Sequence, residues 1–356
     1  MAETCDSSKG TGRRYIIIGA GAIGGTIGGR LAQAGHRVVL VARGEHLSVL
    51  KATGLQLVDP DGSRVLRIPA VGDPNELTLA PGDVLVLTVK SQDTLAALET
   101  WASAPVQGGG TAAERLPLLC AQNGVENERV ALRRFASVYG VCVWLPAVHL
   151  QPGHVAARSA PVTGVLELGR YPAGADDFIR EVARELSASG FSARVRADVM
   201  RWKYAKLLRN LGNALDAAVA PGHSTEALHE LTAAEAQTVL KAAGIAVVSH
   251  AEVEARRADI TVSRPVPGLE EVGSSSWQSL VKGRRTIEAD YLNGEIALLG
   301  RLHGVETPIN GALQQIANAL ARKGATARSL RLEDIEKKLA VTTAGVAPND
   351  NLETSS

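Results

Sequence analysis

The segment Tyr15-Ile16-Ile17-Ile18-Gly19-Ala20-Gly21-Ala22-Ile23-Gly24-Gly25 runs a short apolar stretch straight into a glycine-rich turn and then into a helical pattern. Gly19 permits a tight turn out of a strand, Gly21 removes the side chain that would bar backbone approach to a pyrophosphate, and Gly24 lets the helix pack closely on a sheet. The helix N-terminus adds free N–H groups and partial positive charge. Ala32-Gln33-Ala34-Gly35-His36 then ends the helix on glycine, and Arg37-Val38-Val39-Leu40-Val41-Ala42 reads as the next strand. Strand, turn, helix and strand thus follow the order of a dinucleotide site, in which Gly19, Ala20, Gly21, Ala22, Ile23 and Gly24 hold the cofactor. The alternative is a purely structural glycine turn in another α/β protein.

The residue closing the second strand decides which nicotinamide is held, because a carboxylate there accepts from a ribose 2′-OH and repels a 2′-phosphate. Here the residue is Arg43, followed by Gly44 and Glu45. A guanidinium gives a bidentate phosphate contact, so the chain is expected to take NADP(H) rather than NAD(H). A solvated arginine in a surface turn, with Glu45 facing inward, is the alternative.

With 356 residues, 45% of them hydrophobic, two cores are expected. Cys5, Cys120 and Cys142 are too few and scattered for a disulfide framework or a thiolate metal site, so no metal is expected and a reducing cytoplasm fits. Two of them, in apolar surroundings, read as buried inert thiols. The 38 basic and 37 acidic residues nearly cancel, leaving no electrostatic footprint for nucleic acid or an anionic membrane. No apolar run approaches about 18 residues, and the polar start lacks the apolar core of a signal peptide. The expected partner is a small-molecule substrate, with a homodimer left open.

The expected organisation is a disordered leader over residues 1–12, a Rossmann-type doubly wound parallel sheet over 13–197, an all-helical domain over 198–340 and a disordered tail over 341–356. Within the α/β part, Leu47 to Lys51 are helical, and Leu55-Gln56-Leu57-Val58 with Asp59-Pro60-Asp61-Gly62 form a hairpin arm and its turn. Asp83 to Val89 is a continuous apolar run ending at Lys90-Ser91-Gln92, and Leu116 to Ala121 repeats the pattern and ends at Gln122-Asn123-Gly124. Two strands therefore deliver polar groups to one rim, the carboxyl end of a parallel sheet, where such folds place ligands. Val162-Thr163 and Val165 to Leu168 read as strand, Arg180 to Ser189 as helix capped by Gly190, and Ala193 to Arg196 as a last strand. Charged Ala251 to Arg257 reads as a solvated helix face.

From Asp198 onward the pattern is long helices. In Arg201 to Leu215 the polar Lys206, Asn210 and Asn213 are spaced four and three apart among leucines, sharing one helix face that either meets water or lines a ligand cavity. Downstream, Ser274-Ser275-Ser276 before an apolar helix and Thr286 before Glu288 read, taken alone, as N-caps.

Several of these motifs, in order, resemble the ketopantoate reductase (2-dehydropantoate 2-reductase) family: Gly19 to Gly24, Val89-Lys90-Ser91-Gln92, Gln122-Asn123-Gly124, Lys206-Leu207-x-x-Asn210, Ser275-Ser276, Glu288-Ala289-Asp290-Tyr291-Leu292-Asn293-Gly294 and Thr307-Pro308-Ile309-Asn310. The resemblance spans roughly residues 13 to 320. It implies Lys206 as the general acid that protonates a substrate oxygen while hydride arrives from NADP(H). It further implies Asn210, Asn213 and Ser276 on the substrate, Asn123 between substrate and nicotinamide, Lys90 near a cofactor phosphate, and Glu288 orienting Lys206 or binding a hydroxyl beside substrate and cofactor. Three positions depart from the family pattern: Ala214 replaces a second asparagine, with Asn213 one position earlier, Gly273 another asparagine, and Leu280 an aspartate. A 2-oxo acid or related carbonyl is the expected substrate, with an imine or opine-type dehydrogenase and a non-catalytic NADP sensor as the other readings.

Overall fold

The structure, a computed structural model, describes residues 12–258, 261–264, 266 and 272–344. The expected leader, apart from Gly12, lies outside the described residues, as does Cys5. The chain divides into two units, the first holding Met1–Leu207 and Val247–Val272, the second Leu208–Ala246 and Gly273–Ser356.

In chain order the first unit contains β1 (Arg14–Ile18), α1 (Ala22–Gln33), β2 (Arg37–Val41), α2 (Gly44–Thr53), β3 (Leu55–Asp59), β4 (Gly62–Leu66), β5 (Ala70–Val71), β6 (Asp83–Leu87), α3 (Thr94–Ala102), α4 (Ala112–Arg115), β7 (Leu118–Cys120), α5 (Asn127–Leu132) and β8 (Val138–Trp144). It continues through β9 (Ala147–Val148), β10 (His154–Ala157), β11 (Ser159–Pro161), β12 (Val165–Arg170), α6 (Asp177–Ala188), β13 (Ser192–Val195) and most of α7 (Val199–Asn210). Eight strands form one sheet in the order β13-β12-β8-β7-β6-β1-β2-β5. From β8 to β5 all pairs are parallel, whereas β12 runs antiparallel to β8. Ile18 stands beside Leu87, Leu87 beside Cys120, and Cys120 beside Gly140. This register brings the carboxyl ends of β1, β6, β7 and β8 to one rim. Every residue of β6, β7 and β8 is buried, as expected of strands covered on both faces.

α6 shows how the helices cover the sheet. Asp176 accepts the Ile179 N–H at the cap, and Ile179, Val182, Ala183 and Leu186 recur on one buried stripe. Cys120 and Cys142 are both buried free thiols, and burial pushes Cys142 up to about 12. Such thiols are poor nucleophiles.

The boundary expected after residue 197 falls after Leu207 instead. Val199 packs against Gly140 and Gly169 of the sheet, and Trp202 and Ala205 share an apolar cluster with Cys142, Trp144 and Val165. The inner face of α7 therefore belongs to the sheet. Val247–Val272 also returns to the first unit, through α10 (His250–Arg257), following α8 (Asn213–Ala218) and α9 (Glu226–Ala242) of the second unit, and through β14 (Thr261–Ser263), which pairs with β11. The strand expected at Val162-Thr163 thus lies slightly earlier, at Ser159–Pro161. Nor is α10 a solvated face throughout: Val253 and Arg256 are buried, and Arg256 donates to Glu167 and to Ser192. Fully buried Glu167 also receives Arg196 at 2.6 Å, so two guanidinium groups compensate one buried carboxylate.

The second unit contains the end of α7, α8 (Asn213–Ala218), α9 (Glu226–Ala242), α11 (Ser275–Val281), α12 (Asn293–His303), α13 (Pro308–Lys323) and α14 (Leu332–Ala344). Its core joins Leu215, Leu280, Leu313, Ile316 and Leu320. The single helix expected over 201–215 is two, because the chain breaks at Leu211-Gly212, where a Gly212 side chain would lie 2.8 Å from the His229 ring. Asn213 consequently opens α8 instead of continuing the face of Lys206. Glu235 caps α13, accepting the N–H groups of Ile309 at 2.9 Å and Asn310 at 2.8 Å. Buried Asn310 accepts from Asn293 at 3.0 Å and donates to Thr232, so two asparagines of the recognised motifs staple α9, α12 and α13 together. The last helix reaches Ala344, into the expected tail, whose remaining residues lie outside the described ones. Among the described residues no helix is long and apolar enough to cross a membrane.

Candidate active site

The glycine turn sits on the sheet rim of the first unit. Gly19 has φ +105°, its N–H and that of Ala20 bond to Val41 O, and Thr88 Oγ1 donates to Gly19 O at 2.7 Å. A side chain at Gly24 would stand 2.2 Å from that carbonyl and 2.3 Å from Thr88 Oγ1, so the helix can approach the turn only with glycine there. Gly21 differs: a Cβ there would meet nothing nearer than His149 Nδ1 at 3.9 Å. The space over Gly21 is therefore open, and α1 begins without a capping side chain or an acidic residue in its first turn. An open glycine before uncapped N–H groups fits the diphosphate of a dinucleotide. His46 braces the turn, since Gly153 N–H donates to its Nδ1 at 2.9 Å and its Nε2 therefore donates to Ala20 O at 2.7 Å.

Arg43 caps the end of β2 and the start of α2, 79% exposed, with Nη2 donating to Asp93 Oδ1 at 2.9 Å. Lys90 follows β6, half-buried.

Lys206 projects from α7 so that Nζ donates to Asn123 Oδ1 at 2.8 Å and to Val143 O. The ammonium stands 5.7 Å from the centre of the Trp144 ring. Asn123 is held in turn by a buried polar chain: its carbonyl accepts from Asn127 Nδ2 at 2.8 Å, Thr94 donates to Asn127, and Gln122 donates to Thr94. Sequence reasoning placed Asn123 and Lys206, and the structure brings them together. It missed β8, which supplies Val143 and Trp144, although the run Val138-Tyr139-Gly140-Val141-Cys142-Val143-Trp144 carries the signal of a buried strand. It missed, too, the fully buried pair between Lys203 and Glu128, one turn from Lys206. Burial pushes the Glu128 carboxyl up against the pull of the Lys203 ammonium. Replacing Lys203 by Met strands that carboxylate, so a loss of about 3–5 kcal/mol is expected in urea unfolding, with Glu128→Gln in the same chain recovering much of it. A loss below about 1 kcal/mol would refute this account of how α7 is anchored.

In the second unit Asn210 ends α7, and its Nδ2 is out of water with no hydrogen-bond partner among the described residues. An orphaned amide donor of this kind suits a ligand oxygen. Asn213 Nδ2 faces Ser275 Oγ at 3.5 Å. Of the three serines, Ser274 is the cap, accepting the Trp277 N–H, whereas Ser276 lies inside α11 and is buried. The residue ahead of Glu288 at its 3-10 turn is Ile287, without a side-chain cap, so Thr286 is not the cap expected. Glu288 is buried in that turn, while Asp290 of the same motif accepts from Gln314 and Asn318. Ala214 and Leu280 lie in the apolar core. A side chain at Gly273 would come within 2.6 Å of the Trp277 ring.

A parallel sheet with an open glycine turn at its rim, and a rim lysine on a neighbouring asparagine, fit the class of nicotinamide-dependent oxidoreductases. Residues 15–172 match the ketopantoate reductase PanE/ApbA family and residues 198–321 match the C-terminal part of the same family. The chain belongs to the ketopantoate reductase family. It is similar to the 2-dehydropantoate 2-reductase of Pyrococcus horikoshii, 28% identical over 322 residues covering 86% of this chain and 97% of the relative. A PanE/ApbA family ketopantoate reductase from Ralstonia eutropha JMP134 superposes with a TM-score of 0.71 at 28% identity, covering 87% of this chain and 99% of that one. A D-mandelate dehydrogenase solved with NADH and anilino(oxo)acetate shares the fold, with a TM-score of 0.71 at 24% identity over 87% of this chain and 99% of that one.

Proposed function

We propose that this chain is an NADPH-dependent reductase of a 2-oxo acid. The observation that carries the reading is the lysine held by Asn123 and Val143 O at the rim that also bears the glycine turn. A bound nicotinamide supplies the hydride. Lys206 then polarises the substrate carbonyl, stabilises the charge growing on its oxygen and releases a proton from Nζ to that oxygen. Asn123 fixes the direction of the ammonium, because its own carbonyl is tied down by Asn127. Asn210, Asn213 and Ser276 are assigned to substrate oxygens, the orphaned amide of Asn210 being the strongest support. Glu288 is assigned a catalytic part beside substrate and cofactor on the family pattern, and Lys90 a cofactor phosphate. The reading is tested by NADPH oxidation against ketopantoate, 2-oxo acids with apolar side chains, simple ketones and imines. Turnover confined to imines, or none with any of them, would overturn it.

Arg43 carries the choice of NADPH. Losing one charge-assisted phosphate contact costs about 1.5–3 kcal/mol, so Arg43→Ala should weaken NADPH by roughly tenfold or more and spare NADH in calorimetric titrations. Equal weakening of both would refute the assignment. NADH is the second reading, favoured by one observation: the Arg43 guanidinium already holds a carboxylate.

A further inference from the structure

We infer that Asp93 is a cofactor-specificity residue, whose carboxylate competes for Arg43 and so restrains the preference of this chain for a 2′-phosphorylated dinucleotide. The inference rests on the reading of Arg43 as the 2′-phosphate contact.

Asp93 ends the 3-10 turn Ser91–Asp93 that runs into α3, and with helical backbone there (φ −93°, ψ −6°) its carboxylate makes no capping bond to the first turn of that helix. Its Oδ1 instead accepts from Arg43 Nη2 at 2.9 Å, across fifty residues of sequence. The two groups reach this contact from different strands of one sheet, Arg43 from the end of β2 and Asp93 from the turn after β6. Dinucleotide sites that take NAD(H) present a carboxylate from the end of the second strand, where it accepts from the 2′-hydroxyl. Here that end carries a cation, and the neighbouring rim supplies the carboxylate.

Two consequences follow from charge. A 2′-phosphate approaching Arg43 must displace Asp93 or share the guanidinium with it, and in either case meets a like charge. A free 2′-hydroxyl meets no such penalty and finds an acceptor. Both side chains keep solvent access, 79% for Arg43 and 37% for Asp93, so the effect is a modest one set by screening.

The test is calorimetric titration of the full chain with NADPH and with NADH at low ionic strength, for wild type, Asp93→Asn, Asp93→Glu and Arg43→Ala. Asp93 makes no capping bond and its ion pair is exposed to solvent, so Asp93→Asn should leave the melting temperature near wild type. That variant is expected to tighten NADPH by about two- to fivefold without tightening NADH, raising the NADPH-to-NADH affinity ratio. Asp93→Glu, which keeps the charge, should stay near the wild-type ratio. A ratio that is unchanged or lower in Asp93→Asn overturns the role of Asp93. If Arg43→Ala weakens both cofactors equally, the phosphate reading of Arg43 has failed and the inference falls with it. If Arg43→Ala weakens NADPH alone while Asp93→Asn changes nothing, only the inference has failed.

Discussion

Lys206→Ala should bind NADPH as tightly as wild type and lose about 10²- to 10⁴-fold in kcat on the substrate found by the reductase panel, the usual cost of removing a group that both donates a proton and stabilises developing charge. The retained binding follows from position: Lys206 donates to Asn123 Oδ1 and Val143 O, whereas the glycine turn is built by Gly19, Ala20, Val41 and Thr88. A surface lysine would change rate little. Lys206→Arg separates two parts of the role. A guanidinium keeps the positive charge but does not release a proton in the working range, and its planar fork cannot place one donor between Asn123 Oδ1 and Val143 O as an ammonium does. The arginine variant should therefore remain close to the alanine variant in kcat. If Lys206→Ala turns over at near the wild-type rate, the proton comes from elsewhere and the role assigned to Lys206 is refuted. If Lys206→Arg alone recovers most of the rate, charge stabilisation is the whole contribution and proton donation is refuted.

The contributions legible in the sequence are those written in local pattern. The glycine turn and the buried strands β6 and β7 follow from residues adjacent in the chain and lie within the stretches where the pattern puts them, whereas α6 begins at Asp177, ahead of the expected Arg180, on a cap at Asp176 that the pattern did not mark. Position along the sheet was also legible, because the carboxyl end of a parallel strand is a place defined by chain direction alone. What escaped was set by contacts distant in sequence. Lys203 and Lys206 look alike in a helical stretch, yet one is neutralised in the interior by Glu128 and the other reaches the rim. No local pattern distinguishes them, since the carboxylate lies 75 residues away. Arg256 reads as one of several charges on a polar helix, and only the burial of Glu167 on β12 turns it inward. The close approach of the His229 ring, from another helix, to Gly212 at the break after α7 is likewise set by a contact outside the local pattern. The recognised motifs mix both kinds of residue. Asn293 and Asn310 are occupied in holding three helices together, whereas Asn210 leaves a donor unspent.

The two glycines of the turn should fail in opposite ways. Gly21 has φ −73°, backbone that any residue adopts, and open space where its side chain would be. Gly21→Val should therefore fold with a melting temperature near wild type and yet lose at least about 10²-fold in NADPH affinity, roughly 2.7 kcal/mol, because the valine occupies the volume that the diphosphate needs. Gly24 faces inward. There even one methyl would overlap the Gly19 carbonyl and Thr88 Oγ1, atoms that belong to the turn and to the strand end beside it. Overpacking of this kind costs about 1–3 kcal/mol or more, so Gly24→Ala should lower the melting temperature and weaken NADPH together, by displacing α1 from the sheet. Titration calorimetry paired with thermal unfolding separates the outcomes. Normal NADPH affinity in Gly21→Val would mean that the diphosphate does not lie over this turn, and a Gly21→Val protein that melts as early as Gly24→Ala would mean that the space over Gly21 is needed by the protein itself.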